Sequence, residues 1–292
     1  MNRLTALRLI TAEAANESLQ FAGHVEIGMR IRDALRNPDI TLDQAARLVQ
    51  LEPALAAQVV AIANSAAYAI SGAEVTDVKN AVLRIGFATL RSLVAAHIVK
   101  HLADAPKDAA IRRTVERLWQ HTTHVAALSR TIAKRITKLD PETALFVGLV
   151  HEVGMFYLLS RAGEYPALLA PDSPPAGAGS IENSTDLPGD PTAEAEGELT
   201  LAIVHQLGLP GLVVTAMETY CKGYMELPPV TLGDTVLLAH WLAPVRSPLD
   251  FVDDAGSTRR ASIDAAIGQS TLSEILSESA NEVESLAKAL GA

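Results

Sequence analysis

The sequence predicts an all-α protein, and three observations carry that prediction. Apolar residues recur at i, i+3, i+4 spacing through nearly every patterned stretch. Those stretches open on capping residues or an early proline. No stretch shows the alternating pattern and tight-turn signals of a β-hairpin. Composition agrees, with 49% of the 292 residues apolar but only 4% aromatic. Small aliphatic side chains with few rings suit close helix–helix packing better than a sandwich or barrel.

Taken in order, the first clear start is Thr41-Leu42-Asp43-Gln44. Its spacing is that of a capping box, in which Thr and Gln satisfy exposed amide donors. Leu42, Ala45, Ala46 and Val49 then share a face. A second helix follows Pro53 and buries Leu55, Val59, Ile62 and Ala63, closing at Asn64-Ser65, whose side chains can bond back to the backbone. Val78, Val82 and Ile85 begin a stripe that Gly86 interrupts and Leu90, Leu93, Val94 and Ile98 resume. Leu118, Val125, Leu128, Ile132 and Ile136 line one long helix. Asp140-Pro141-Glu142 starts the next, with an Asp cap, Pro in the first turn and a carboxylate near the positive end of the dipole. That helix carries His151.

From Pro171 to about Gly197 the composition changes, and Pro171-Asp172-Ser173-Pro174-Pro175-Ala176-Gly177 cannot sustain a helix. A long mobile surface loop is expected over 171–197. Helical patterning returns at Leu199 and runs through Leu212–Tyr220 and Leu232–Ala243. A polar break at 253–257 precedes the last helices, where Thr271-Leu272-Ser273-Glu274 repeats the capping-box spacing ahead of Ile275, Leu276, Val283, Leu286 and Leu290.

The net charge of −10 argues against a broad nucleic-acid surface. The single cysteine, Cys221, cannot form an intramolecular disulfide and reads as a small buried hydrophobe in a reducing compartment. The N-terminus lacks a signal-peptide core, and no stretch approaches about 18–20 uninterrupted apolar residues. A cytoplasmic protein with no membrane partner is expected.

Two segments set a histidine on an apolar helix. They are Leu118-Trp119-Gln120-His121 and Gly148-Leu149-Val150-His151-Glu152-Val153-Gly154, the second with a carboxylate beside its histidine. The pair resembles the metal-binding skeleton of an HD-type phosphohydrolase, with Glu152 where such an enzyme carries Asp. Upstream stand Glu52-Pro53-Ala54-Leu55, Ile62-Ala63-Asn64-Ser65-Ala66-Ala67-Tyr68 and Ala81-Val82-Leu83-Arg84-Ile85-Gly86-Phe87. In this succession the blocks resemble the HDOD family, bacterial relatives of the HD and HD-GYP phosphohydrolases, over roughly residues 20–245.

The resemblance implies an N-terminal helical subdomain (1–105) packed on a degenerate HD-like bundle (106–292). It also implies a late metal ligand at His240, in Leu237-Leu238-Ala239-His240-Trp241, where the family pattern carries Asp. After Leu209-Pro210-Gly211-Leu212, Tyr220-Cys221 stands where paired histidines are expected. His121, His151 and His240 are neutral donors, so Glu152 alone brings negative charge, which supports a two-metal centre poorly. Glu in place of Asp also displaces the carboxylate by a methylene, which catalytic geometry tolerates badly.

The expectation is a catalytically degenerate regulatory protein of bacterial signal transduction, acting through a protein partner or a sensed ligand, with no obligatory cofactor. Any metal would be a single divalent ion (zinc, iron or manganese) held by His121, His151, Glu152 and His240. Two alternatives stay open: a mono-metal phosphohydrolase or phosphodiesterase, and a module binding a nucleotide second messenger. Asn64, Ser65, Tyr68 and His124 form a candidate ligand or partner patch. His97 and His101, four apart but without a third ligand, read as a solvated helix face.

Overall fold

The computed structural model describes residues 2–16, 23–65, 68, 74–102, 108–169, 191–223, 225, 227–250 and 256–290. Among them are thirteen α-helices and no strand, so the all-α prediction holds.

Five helices precede the histidine-bearing ones: α1 (Arg3–Asn16), α2 (Gly23–Leu35), α3 (Leu42–Gln50), α4 (Pro53–Ala63) and α5 (Val78–Leu102). Both arms of the capping box at Thr41 are formed, Thr41 accepting from the Gln44 amide and Gln44 from the Thr41 amide. Helices α2, α3 and α4 pack around α5. Gly86 breaks α5 with φ 79° and ψ 165°. A Cβ at this glycine would meet nothing within 4 Å, so the left-handed backbone, not crowding, calls for glycine there.

Helix α6 (Ala109–Ile132) runs into a π-helical turn (Ala133–Thr137), which ends at Lys138 in left-handed conformation. Asp140 caps α7 (Pro141–Val150) by accepting from the Thr143 amide, with Pro141 in the first turn. His151 and Glu152 form the junction between α7 and α8 (Val153–Arg161). Helices α6 and α7 approach closely because Gly148 faces Ala126; a Cβ at 148 would lie 2.6 Å from the Ala126 Cα. Two apolar stretches long enough to cross a membrane, Val78–Leu102 and Pro141–Arg161, are 67% and 89% buried over their most apolar window. Both are core helices.

The remaining elements are α9 (Pro191–Gln206), α10 (Gly211–Cys221), α11 (Leu232–Leu242), α12 (Gly256–Ile267) and α13 (Gln269–Leu290). Helix α1 lies along α9, joined by the Arg3–Glu196 ion pair and by the Gln206 side-chain amide donating to the Ala14 carbonyl. Helix α13 packs on α6 and α4.

Three expectations are corrected. The loop expected to reach Gly197 ends earlier, because α9 begins at Pro191, where proline's missing N–H costs nothing; 170–190 lie outside the described residues. Thr271 does not start a helix. Gly268, at φ 90°, separates α12 from α13, which is already under way at Gln269. The 253–257 break falls largely outside the described residues, and from Gly256 the chain is helical.

Candidate metal centre

His121 sits midway along α6, His151 and Glu152 at the α7–α8 junction, and His240 near the end of α11. The close α6–α7 approach at Gly148 brings the first two together, and α11 packs on both helices. His121 Nε2 lies 3.4 Å from His151 Nε2 and 3.1 Å from His240 Nδ1. Glu152 Oε1 lies 3.7 Å from each of the first two nitrogens and 3.9 Å from the third. All four donor atoms fall within 4.8 Å of one another. His121 and His151 are fully buried, and Glu152 is 6% exposed.

The tautomers follow from the far side of each ring. His121 Nδ1 is 2.7 Å from the Val245 carbonyl, and His151 Nδ1 is 2.7 Å from the Gly148 carbonyl. A carbonyl only accepts, so each Nδ1 carries the proton and each Nε2 presents a lone pair to the other. His240 repeats the arrangement with its nitrogens exchanged: Nε2 faces Asp250 Oδ2 at 3.5 Å, and Nδ1 points inward. Ser247 donates to Glu152. Three imidazoles anchored on their outer nitrogens, inner lone pairs converging beside a carboxylate, are the outer-sphere pattern of a metal site.

Electrostatics agree. Burial, then the neighbouring His240, pushes His121 down to about 3. Burial, followed by His121 and His240, holds His151 well below its ordinary value. A second proton is therefore not available to bridge the facing nitrogens near neutral pH. Burial raises Glu152. A cation among the four donors would relieve both the lone-pair repulsion and the carboxylate's desolvation.

The family model for the HDOD domain matches residues 24–223, about two thirds of the chain. The chain belongs to the HDOD domain family. His240 lies beyond the matched stretch, so this HDOD protein completes its donor set from a helix outside it.

Solved structures share the fold. A Shewanella amazonensis protein, provisionally named a metal-dependent phosphohydrolase, matches with TM-score 0.70 and 17% identity over 99% of each chain. An HDOD domain protein of unknown function from Geobacter sulfurreducens gives 0.56 and 20%, over 98% of this chain and 97% of that one. A protein from Marinobacter aquaeolei, provisionally named for signal transduction, gives 0.57 and 19%, over 100% of this chain and 67% of that one. The chain matches no curated protein.

The other candidate residues stand elsewhere. The Asn64 side chain donates to the Val75 carbonyl at 2.7 Å and accepts from its amide at 2.8 Å, pinning the chain ahead of α5. Ser65 and Tyr68 line a cavity of about 500 Å³ between α4, α5, α6, α7 and α13. There the Tyr68 hydroxyl donates to Glu142, and the Arg130 guanidinium, over the Tyr68 ring, bonds Glu142 and Glu282. His124 is half-buried on α6 and supplies no donor to the cluster.

The solvated reading of His97 is wrong. It is 1% exposed, with Nδ1 3.2 Å from Gln58 Oε1 and its ring edge-on to His101. Two histidines four apart near the end of α5 carry no sign that one of them has a buried partner thirty-nine residues away. Burial pushes the Cys221 thiol up to about 12, in keeping with an unreactive hydrophobe. Sequence reasoning missed the Gly148 and Val245 carbonyls, Ser247 and Asp250, since backbone acceptors and loop residues leave no spacing signal.

Proposed function

We propose that this HDOD protein is a regulatory component of bacterial signal transduction whose His121, His151, Glu152 and His240 cluster holds one metal ion. The observation that carries this reading is the anchoring of every inner lone pair by an outer hydrogen-bond or ion-pair partner, around donors set for a single ion. A tetrahedral ion with ligands at about 2.0–2.1 Å has ligand–ligand edges of roughly 3.3 Å. Five of the six donor–donor edges run from 3.1 to 3.9 Å, and all six stay within 4.8 Å.

A two-metal hydrolytic centre fits less well. A second ion about 3.5–4 Å away would need its own ligands, carboxylates above all. Asp250 stands behind His240, on its outer nitrogen. With Glu152 as the inner charge and Asp250 just outside, one divalent ion is neutralised. The depth of the cluster also argues against a phosphodiester reaching it.

The regulatory step would be conformational. His121 and Arg130 are nine residues apart on α6, about 13 Å. On α7, Glu142 stands at the opposite end from His151. The spacing of α6 and α7 at the cluster is thus tied to the Arg130–Glu142–Glu282 node, where Tyr68 and α13 meet them. An input that changes this spacing shifts α13 and with it a partner surface.

The test is metal stoichiometry by inductively coupled plasma mass spectrometry, on untagged protein purified without added metal or chelator. Near-stoichiometric metal, absent from His151→Ala, is expected. Wild-type protein that stays well below one ion per chain after reconstitution refutes the reading. Phosphodiester turnover that depends on His151 would restore the hydrolase alternative.

A further inference from the structure

Tyr220 takes the place of an expected histidine and packs against the cluster. Its ring is edge-on to His151 and His240, with centroids at 5.3 and 5.9 Å. Its hydroxyl donates to His240 Nδ1 at 3.1 Å, the nitrogen that faces His121 Nε2 and Glu152 Oε1. Burial, then Glu152, keeps the hydroxyl a neutral phenol unless a cation displaces the proton. The oxygen thus stands on the inner side of the imidazole, at a ligand–ligand separation. It comes from α10, which packs on both α11 and α7. Helix α10 therefore contributes to the cluster through Tyr220.

We infer that Tyr220 is a fifth protein ligand, its phenolate oxygen completing an N3O2 set selective for trivalent iron. This rests on the metal-centre reading above. The donor chemistry supports it: phenolate and carboxylate are hard oxygens, and imidazole accepts iron as readily as zinc. Charge supports it as well. Phenolate, Glu152 and the outer Asp250 supply three negative charges against the ion's three positive ones. On coordination the phenol O–H bond gives way to an Fe–O bond, the proton passes to solvent and iron keeps its oxidation state.

The experiment loads metal-free protein with ferric citrate, removes excess iron and records the visible spectrum beside iron stoichiometry. Wild type, Tyr220→Phe, Tyr220→His and His151→Ala are compared, with thermal melting as the folding control. Wild type is expected to bind one iron and show a phenolate-to-iron charge-transfer band. Tyr220→Phe keeps the ring packing but loses the band, and its ferric affinity falls about 10- to 100-fold or more. Tyr220→His restores a donor, recovering metal binding without the band. One iron per wild-type chain with no band, or a band unchanged in Tyr220→Phe, overturns Tyr220 as a ligand and leaves the metal centre standing. So does uptake of zinc but not ferric iron. Failure to bind either metal overturns both.

Discussion

Zinc titrated into metal-free protein should raise the melting temperature by an amount set by mass action, and His151→Ala should remove most of that rise. At about one hundred times the dissociation constant, a ligand specific to the native state stabilises it by about 2.7 kcal/mol. For a chain of this size each kcal/mol moves Tm by roughly 2 °C, so a rise of about 5 °C is expected. His151 supplies one of four converging donors, and its Nδ1–H satisfies the buried Gly148 carbonyl. Removing it should weaken binding at least as much as losing an outer-sphere partner, about 100-fold. At the same zinc concentration the variant then sits near its own dissociation constant, and the rise shrinks to about 1 °C.

Without metal the variant should also melt lower, since an orphaned buried carbonyl costs about 1–3 kcal/mol. Circular dichroism melts of both proteins, with zinc and with chelator, separate the two effects. An equal zinc-dependent rise in both proteins would place the ion elsewhere. The absence of any saturable rise in wild type would refute the assignment of these donors.

Gly148→Ala touches no donor side chain, yet it forces α7 away from the Ala126 backbone by several tenths of an ångström. A cost of about 1–3 kcal/mol is expected, together with loss of the zinc-dependent Tm rise; retention of the full rise would show that the α6–α7 distance does not set the site. Metal-free protein should lose stability as pH falls. His121 and His151 titrate well below 6.5 when folded, so the unfolded chain binds protons first. Stability is complete above about pH 6.5 and falls below it by roughly 1.4 kcal/mol per pH unit for each histidine until the folded pKa is reached, which urea midpoints between pH 7 and 5 would measure. Arg130→Met leaves Glu142 and Glu282 without their shared partner and should cost about 3 kcal/mol in urea unfolding. A loss below about 0.5 kcal/mol would show that the node does not hold α13.

Sequence alone determined where several helices begin and which face they bury. Thr41 with Gln44, and Asp140 with Pro141, act on amides within four residues, so the local chain suffices to read them. Thr271 looked the same and failed, because Gly268 had already turned the backbone and released α13. His121, His151 and Glu152 were legible because α6 and the α7–α8 junction carry them in a recognisable order, and His240 through its Leu-Ala setting.

Tertiary structure decided how those residues meet. The protonated nitrogen on each ring depends on the Val245 and Gly148 carbonyls and on Asp250. These are a backbone oxygen 124 residues from its histidine, another three residues away, and a loop carboxylate, and none has a spacing that chemistry fixes. That Tyr220 reaches His151 and His240 likewise depended on the packing of α10 against α11 and α7. Local signals act within a few bonds of the backbone. A coordination sphere is assembled by helix packing, which the sequence encodes only through the sum of its buried contacts.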